Sequence, residues 1–182
     1  MTYLAIGFFA LLGRKFTETL KCTPLCKLLY YIIYNTAGGI VRDLCILNTI
    51  PSILSDKISI LVLCFVWYIP LSWVVYVLNF LEKYRLIVFM EAISLHEFLL
   101  VGINACTNNM HVFVRVLAMI VTATLGGLIF QLLTSQKLRI KDIFSTYRLA
   151  SIIISLLLII IPTSVNSLVL LICLFLYIEH HK

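Results

Sequence analysis

Long apolar runs alternate with short polar connections along this chain, a pattern typical of α-helices that cross a membrane. A membrane-spanning helix needs about 20 consecutive, mainly apolar residues. The candidate spans cover residues 3–12, 28–50, 58–81, 85–106, 112–134, 149–162 and 165–178. The first is only about half of a span, but no charged segment precedes it and no small-residue cleavage site precedes Arg14. We therefore expect a shortened first helix rather than a signal peptide, and six to seven spans in total.

The composition supports a membrane protein and argues against a soluble one. Hydrophobic residues make up 62% of the 182 residues, and charged residues only 12%. A soluble domain usually carries about 25% charged residues, so too few charges are present to cover a water-facing surface. The predicted fold class is an all-α polytopic membrane bundle that forms a single domain over residues 1–182.

The basic residues of the loops predict which side of the membrane each loop occupies. If the seven spans alternate in direction, eleven Lys and Arg residues follow the odd-numbered spans and three lie on the other side. Cytoplasmic loops of membrane proteins are enriched in Lys and Arg. We therefore expect a cytosolic C-terminus and a lumenal N-terminus. The net charge of +6 has the same origin, and we expect no nucleic-acid partner.

Motifs of enzymes and of metal sites are missing from the sequence. It contains no H-E-x-x-H, no G-x-S-x-G and no Gly-rich phosphate loop. Most of the six cysteines lie in apolar runs, where a free Cys behaves as a small hydrophobic residue. We therefore expect neither catalysis, nor a metal site, nor a cofactor.

One motif occurs twice and predicts an internal repeat. Residues 36–44 and 124–132, in spans two and five, both read T-x-G-G-[IL]-x-x-x-L and lie 88 residues apart. Units of three spans would have opposite orientations, with repeat one at about 1–81, repeat two at about 84–162 and a final helix at about 165–178. Glycine pairs at matching positions of inverted repeats point to a permeation path with broken helices. The alternative is helix packing, because small residues let helices approach closely.

Several charged residues lie inside or beside the spans. A charge in the membrane costs about 2.5–3.5 kcal/mol on insertion scales, so it needs water or a partner. Asp43 in span two either lines a path and attracts cations or lies near the membrane edge. Glu91 is the best candidate for the interior in span four. Lys83 and Arg85, at the cytosolic entry to span four, are candidates for contact with anionic lipid headgroups.

A series of short motifs carries a family resemblance over roughly residues 23–180. In chain order they are Thr23-Pro24, Leu28-Leu29-Tyr30, Ala37-Gly38-Gly39 with Asp43, Val66-Trp67-Tyr68 with Pro70-Leu71, Glu91 with Gly102 and Ala105, Gly126-Gly127-Leu128 with Gln131-Leu132, and Ser145-Thr146-Tyr147-Arg148. Together they resemble the second to sixth helices of the trimeric intracellular cation (TRIC) channels. Two departures mark the chain as divergent: residues 90–97 lack the Lys and Arg of the family's fourth helix, and Ser72 stands where the family has Asp.

The resemblance implies a homotrimer in the endoplasmic or sarcoplasmic reticulum membrane, with a pore in each subunit. It also implies that potassium flows as a counter-ion during calcium release and that a phosphoinositide binds near the glycine pairs. Combined with the repeat, it gives Gly38, Gly39, Asp43, Glu91, Gly126 and Gly127 as pore or kink candidates. Two other functions stay open: a small secondary transporter, and a non-conducting membrane scaffold protein.

Overall fold

The computed structural model describes residues 3–84, 86–107 and 109–133. This part of the chain forms six α-helices, one π-helical turn and one 3-10 turn. In chain order they are α1 (Tyr3–Glu18), α2 (Pro24–Val41), the π turn (Arg42–Ile46), the 3-10 turn (Ser52–Leu54), α3 (Lys57–Tyr68), α4 (Leu71–Lys83), α5 (Leu86–Asn104) and α6 (Val112–Leu133). The predicted spans at 149–162 and 165–178 lie outside the described residues.

Helix α1 lies at the centre of the described bundle. Its Ile6 and Ala10 pack with Leu63 and Val66 of α3, while its Phe8 packs with α4. Both clusters are buried. This packing stabilises α1, because a short helix gains most of its stability from tertiary contacts. The helix extends to Glu18, six residues beyond the predicted first span at 3–12.

Helix α2 begins where the sequence places a strong start signal. Thr23 is the N-cap, and its side chain accepts a hydrogen bond from the backbone N–H of Cys26 at 3.4 Å. Pro24 occupies the first helical position, where its missing N–H costs nothing. The α-helix ends at Val41 and continues as the π turn. The single span predicted for 28–50 is therefore too long, because Asn48 has a φ of 52° and stops any helix.

The third predicted span, at 58–81, is two helices rather than one. Helices α3 and α4 meet at an angle of 104°. The cause is Pro70, which disfavours helical geometry at the residue before it. Ile69 accordingly adopts an extended conformation with φ −61° and ψ 136°. The expectation of one continuous helix is wrong for this reason.

Helices α5 and α6 agree with the spans predicted at 85–106 and 112–134. Within the described residues, only α6 is long and apolar enough to cross a membrane as a single helix. The bent pair of α3 and α4 meets the same criterion when it is taken as one segment. Gly102 lets α5 lie against α6, because a Cβ there would be 2.5 Å from the Cα of Met119.

Candidate functional site

A cavity of about 860 Å³ lies beside the crossing of α2 and α6. Helices α1, α3 and α5 and the loop of residues 47–56 complete its wall. Polar groups line it from several elements, including Asn35 of α2, Thr122 of α6 and Asn104 of α5. The rest of the wall is mainly apolar, and a cavity with such polar groups inside an apolar bundle is a place where a membrane protein can hold water or a solute.

The structure brings all six pore or kink candidates to the wall of this cavity. They are Gly38, Gly39, Asp43, Glu91, Gly126 and Gly127. They come from α2, the π turn, α5 and α6, so elements distant in sequence meet there.

The first glycine of each pair is a packing residue. A Cβ on Gly38 would be 2.8 Å from the carbonyl oxygens of both Val121 and Thr122. A Cβ on Gly126 would be 2.4 Å from the carbonyl oxygen of Tyr34. Both distances are too short for any side chain, so glycine at these positions lets the two backbones touch.

These contacts are reciprocal. The two copies of the motif are 88 residues apart, so Gly126 is the counterpart of Gly38 and Thr122 is the counterpart of Tyr34. Gly38 approaches Thr122, and Gly126 approaches Tyr34. The preceding threonines are also equivalent: Thr36 donates to the Ile32 carbonyl and Thr124 to the Ile120 carbonyl, both at 2.8 Å. The crossing of α2 and α6 therefore has a local two-fold character.

The second glycine of each pair has a different environment. Among the described residues, no atom apart from the neighbouring backbone of the same helix lies within 4 Å of a Cβ built on Gly39 or on Gly127, and both residues line the cavity. Each pair thus combines one residue that closes the helix contact with one that leaves the cavity wall unobstructed.

Neither glycine pair interrupts its helix, which corrects the expectation of broken helices there. Helix α2 stays α-helical through Gly38 and Gly39, and α6 through Gly126 and Gly127. The backbone N–H of Arg42 donates to the carbonyls of Gly38 and Gly39, so these oxygens are not free to face water. The packing alternative accounts for the first glycine of each pair.

The break in α2 comes instead at Arg42 and Asp43, which form a buried ion pair. Both are 2% exposed, and Nε of Arg42 is 2.6 Å from Oδ1 of Asp43. Nη2 of Arg42 donates to Ser52 Oγ at 3.0 Å, and its Nη1 donates to Thr122 Oγ1 at 3.4 Å. One guanidinium therefore joins the π turn to the loop and to α6.

Asp43 is fully engaged by this network. Its Oδ2 accepts hydrogen bonds from the backbone N–H of Ser52 at 2.7 Å and from the Ser52 hydroxyl at 2.8 Å. The Asp43 side chain is buried, so it does not extend to the protein surface. Its charge is balanced by Arg42, so its predicted role, attracting cations, requires that pair to open.

Two further carboxylates line the cavity. Glu91 of α5 is partly exposed there. Asp56, which the sequence does not single out, is the N-cap of α3 and accepts from the backbone N–H of Ser59 at 3.1 Å. The hydrogen bond from the Ser59 hydroxyl holds the pKa of Asp56 below its ordinary value. Of the residues that the structure describes, the charged ones in the wall are Asp43, Asp56, Glu91 and one cation, Arg42.

The lipid-headgroup candidates lie elsewhere. Lys83 is exposed in the last turn of α4, and its Nζ is 5.6 Å from the ring centre of Tyr84. Arg85 lies outside the described residues. Sequence reasoning missed Ser52, Asp56 and Thr122; the Asp-x-x-Ser pattern before α3 is a helix-cap signal that could have pointed to Asp56.

The fold has known counterparts, although comparisons with family models and with curated proteins find no match. One is a structure described as the structural basis for conductance through TRIC cation channels, with a TM-score of 0.67 and 20% identity. The matched region covers 97% of this chain and 87% of the solved chain. Another is the TRIC trimeric intracellular cation channel orthologue from Rhodobacter sphaeroides, with a TM-score of 0.61 and 18% identity. Here the matched region covers 96% of this chain and 91% of the solved chain.

These likenesses confirm the resemblance at the level of the fold. The two solved structures match nearly the whole chain with low sequence identity, so they report architecture rather than residue roles. The chain is an all-α polytopic membrane bundle with the fold of the TRIC cation channels.

Proposed function

We propose that this chain is a subunit of a cation channel, selective for monovalent cations such as potassium, in an intracellular membrane. The observation that carries the proposal is the cavity beside the α2–α6 crossing, with charged, hydroxyl and amide groups in its otherwise apolar wall, in a bundle with the TRIC fold. Three carboxylates and one guanidinium among the residues of its wall favour cations over anions. Hydroxyl and amide oxygens from Thr49, Asn35 and Thr122 can replace part of the hydration shell of a passing ion.

The proposal includes the assembly and the setting that the resemblance implies. The chain would act as a homotrimer in the endoplasmic or sarcoplasmic reticulum, where potassium flow balances charge during calcium release. Phosphoinositide and other membrane lipids are the proposed non-protein partners, with Lys83 at the end of α4 as a headgroup contact. Support for these points comes from the resemblance and from the exposure of Lys83.

Planar-bilayer recording of the purified protein tests conduction. We expect single-channel potassium currents from the wild type, and their loss in Gly39→Leu and Gly127→Leu, because both positions line the cavity and have room for a side chain. Ser72→Leu is the control, because it also introduces a leucine, but at an exposed position of α4.

The outcomes separate the alternatives. Saturable, substrate-specific uptake into liposomes without single-channel currents would establish the transporter alternative, which the repeated motif also fits. A correctly folded wild type that gives neither currents nor uptake would overturn the channel proposal and leave the scaffold alternative. Unchanged currents in both leucine variants would show that the ion permeation path lies outside this cavity.

A further inference from the structure

The loop of residues 47–56 forms the wall of the cavity at the end where α2 and the π turn stop. Thr49, Ser52 and Asp56 of this loop line the cavity. Its apolar side chains Ile50 and Leu54 are 83% and 67% exposed, so the loop lies at the outside of the described bundle. An ion that enters the cavity from this side passes the loop before it reaches the glycines.

Two carboxylates lie at this end, and they differ in how their charge is balanced. Asp43 is held by the guanidinium of Arg42, and its other oxygen accepts two hydrogen bonds from Ser52. An ion pair has no net charge, so its attraction for a cation falls off faster with distance than that of a single carboxylate. A passing cation would have to displace Arg42 to gain from Asp43.

Among the described residues, the side-chain and backbone groups that hydrogen-bond to Asp56 are neutral. The backbone N–H and the hydroxyl of Ser59 both donate to its carboxylate. These hydrogen bonds favour the ionised form of the side chain without cancelling its charge. Lys57, the next residue, is exposed and is not part of the cavity wall.

We propose that Asp56 is the charge that draws cations into the loop end of the cavity, and that Asp43, in the same wall, is a structural residue. This inference rests on the proposed channel function. It assigns Asp56 a role beyond capping α3, since capping requires only a hydrogen-bond acceptor and not a charge. Glu91 lies on α5, away from this loop in sequence, and would act further along the path.

The Asp56→Asn variant separates charge from capping, because Asn is an equally good N-cap. One charge near a pore mouth is screened over about 8 Å at physiological salt and over about 30 Å at 0.01 M. We therefore expect the single-channel potassium conductance of Asp56→Asn to fall roughly two- to fivefold at low salt and by less than about 1.5-fold at 1 M. Asp56→Glu should keep most of the wild-type conductance at low salt.

Glu82→Gln is the matched control, because Glu82 is an exposed carboxylate of α4 that does not line the cavity. Its conductance should equal that of the wild type at every salt concentration. The reversal potential in a potassium chloride gradient provides a second measure: Asp56→Asn should shift it toward chloride permeability, and Glu82→Gln should not.

Equal effects of Asp56→Asn and Glu82→Gln would overturn the inference while leaving the channel function intact. So would a loss in Asp56→Asn that is the same at low and high salt, because a structural defect is not screened by ions. A wild type without currents would instead overturn the proposed function. A melting temperature of Asp56→Asn within a few degrees of the wild type confirms that the variant still folds.

Discussion

Helices α2 and α6 carry the same motif and cross each other by the same contacts, yet they continue differently beyond it. In α2 the α-helix stops at Val41, two residues after Gly39, and gives way to the π turn. In α6 it runs on from Gly127 to Leu133 without a break. The glycine pair is common to both helices, so the glycines cannot be the reason that α2 ends.

The difference between the two helices lies at the Arg42–Asp43 pair. Both side chains are buried, so each needs the other and the hydroxyls of Ser52 and Thr122. Ser52 lies in the loop, and reaching it widens the last turn of α2, where Leu47 N–H bonds to the Arg42 carbonyl at 3.0 Å. Small residues thus set how closely two membrane helices approach, while a polar pair sets where one of them stops.

Arg42→Met tests this explanation and should have the largest effect on stability. The substitution keeps much of the side-chain volume but leaves Asp43 as a buried charge without its partner. We expect the free energy of unfolding to fall by about 3–5 kcal/mol, measured by denaturation in mixed micelles. Hydrogen exchange should accelerate over residues 42–52 and stay unchanged in the last turns of α6.

The double variant Arg42→Met, Asp43→Asn provides the control. Asn still accepts a hydrogen bond from Ser52 but carries no charge, so the double variant should recover half or more of the lost stability. If the double variant is as unstable as Arg42→Met alone, packing of the guanidinium rather than charge balance maintains the end of α2.

Hydrophobic pattern predicted the membrane bundle and the two helices α5 and α6 well. It failed where a single residue controls the backbone: Pro70 divides the segment at 58–81, and Asn48 closes the segment at 28–50. Hydropathy averages over many residues, so a local conformational restriction is lost in it. Pro70 was visible in the sequence, and its effect on Ile69 follows from steric clash alone.

The candidate site was predicted in part. The repeated T-x-G-G motif selected four glycines that do line one cavity, and the first glycine of each pair must be small for the helices to meet. Within each glycine pair, one residue packs against the other helix and one faces the cavity. Which glycine does which depends on how each helix is rotated about its axis, and the sequence does not specify that rotation. The partners of Arg42, namely Ser52 and Thr122, are 10 and 80 residues away, and no local pattern connects them.

Substitutions within the glycine pairs should have the next largest effect. Gly126→Ala brings a methyl group within 2.4 Å of the Tyr34 carbonyl, and Gly38→Ala brings one within 2.8 Å of two carbonyls. The backbones must separate, so we expect each variant to lose about 1–3 kcal/mol of unfolding free energy.

The second glycines are the controls, because the methyl group of Gly39→Ala or Gly127→Ala would meet no atom of the described part of the chain within 4 Å, the adjacent backbone of its own helix aside. Alanine also favours a helix over glycine by up to about 1 kcal/mol, so these two variants should be neutral or more stable. Similar losses at all four positions would contradict the distinction between packing and cavity glycines and would favour a role for backbone flexibility.

The two threonines give the smallest effect and the most direct test of equivalence. Thr36→Val and Thr124→Val each remove one hydroxyl that donates to the carbonyl four residues earlier, at 2.8 Å in both helices. Both side chains are buried to a similar degree, at 7% and 8% exposure. Each carbonyl keeps its helical hydrogen bond, so the change in unfolding free energy should be at most about 1 kcal/mol. The change in unfolding free energy should have the same sign at both positions and agree within about 0.5 kcal/mol.

If one variant is neutral and the other loses several kcal/mol, the two sides of the crossing are not equivalent. The difference between α2 and α6 would then begin at the threonine, before either glycine pair, and not at Arg42.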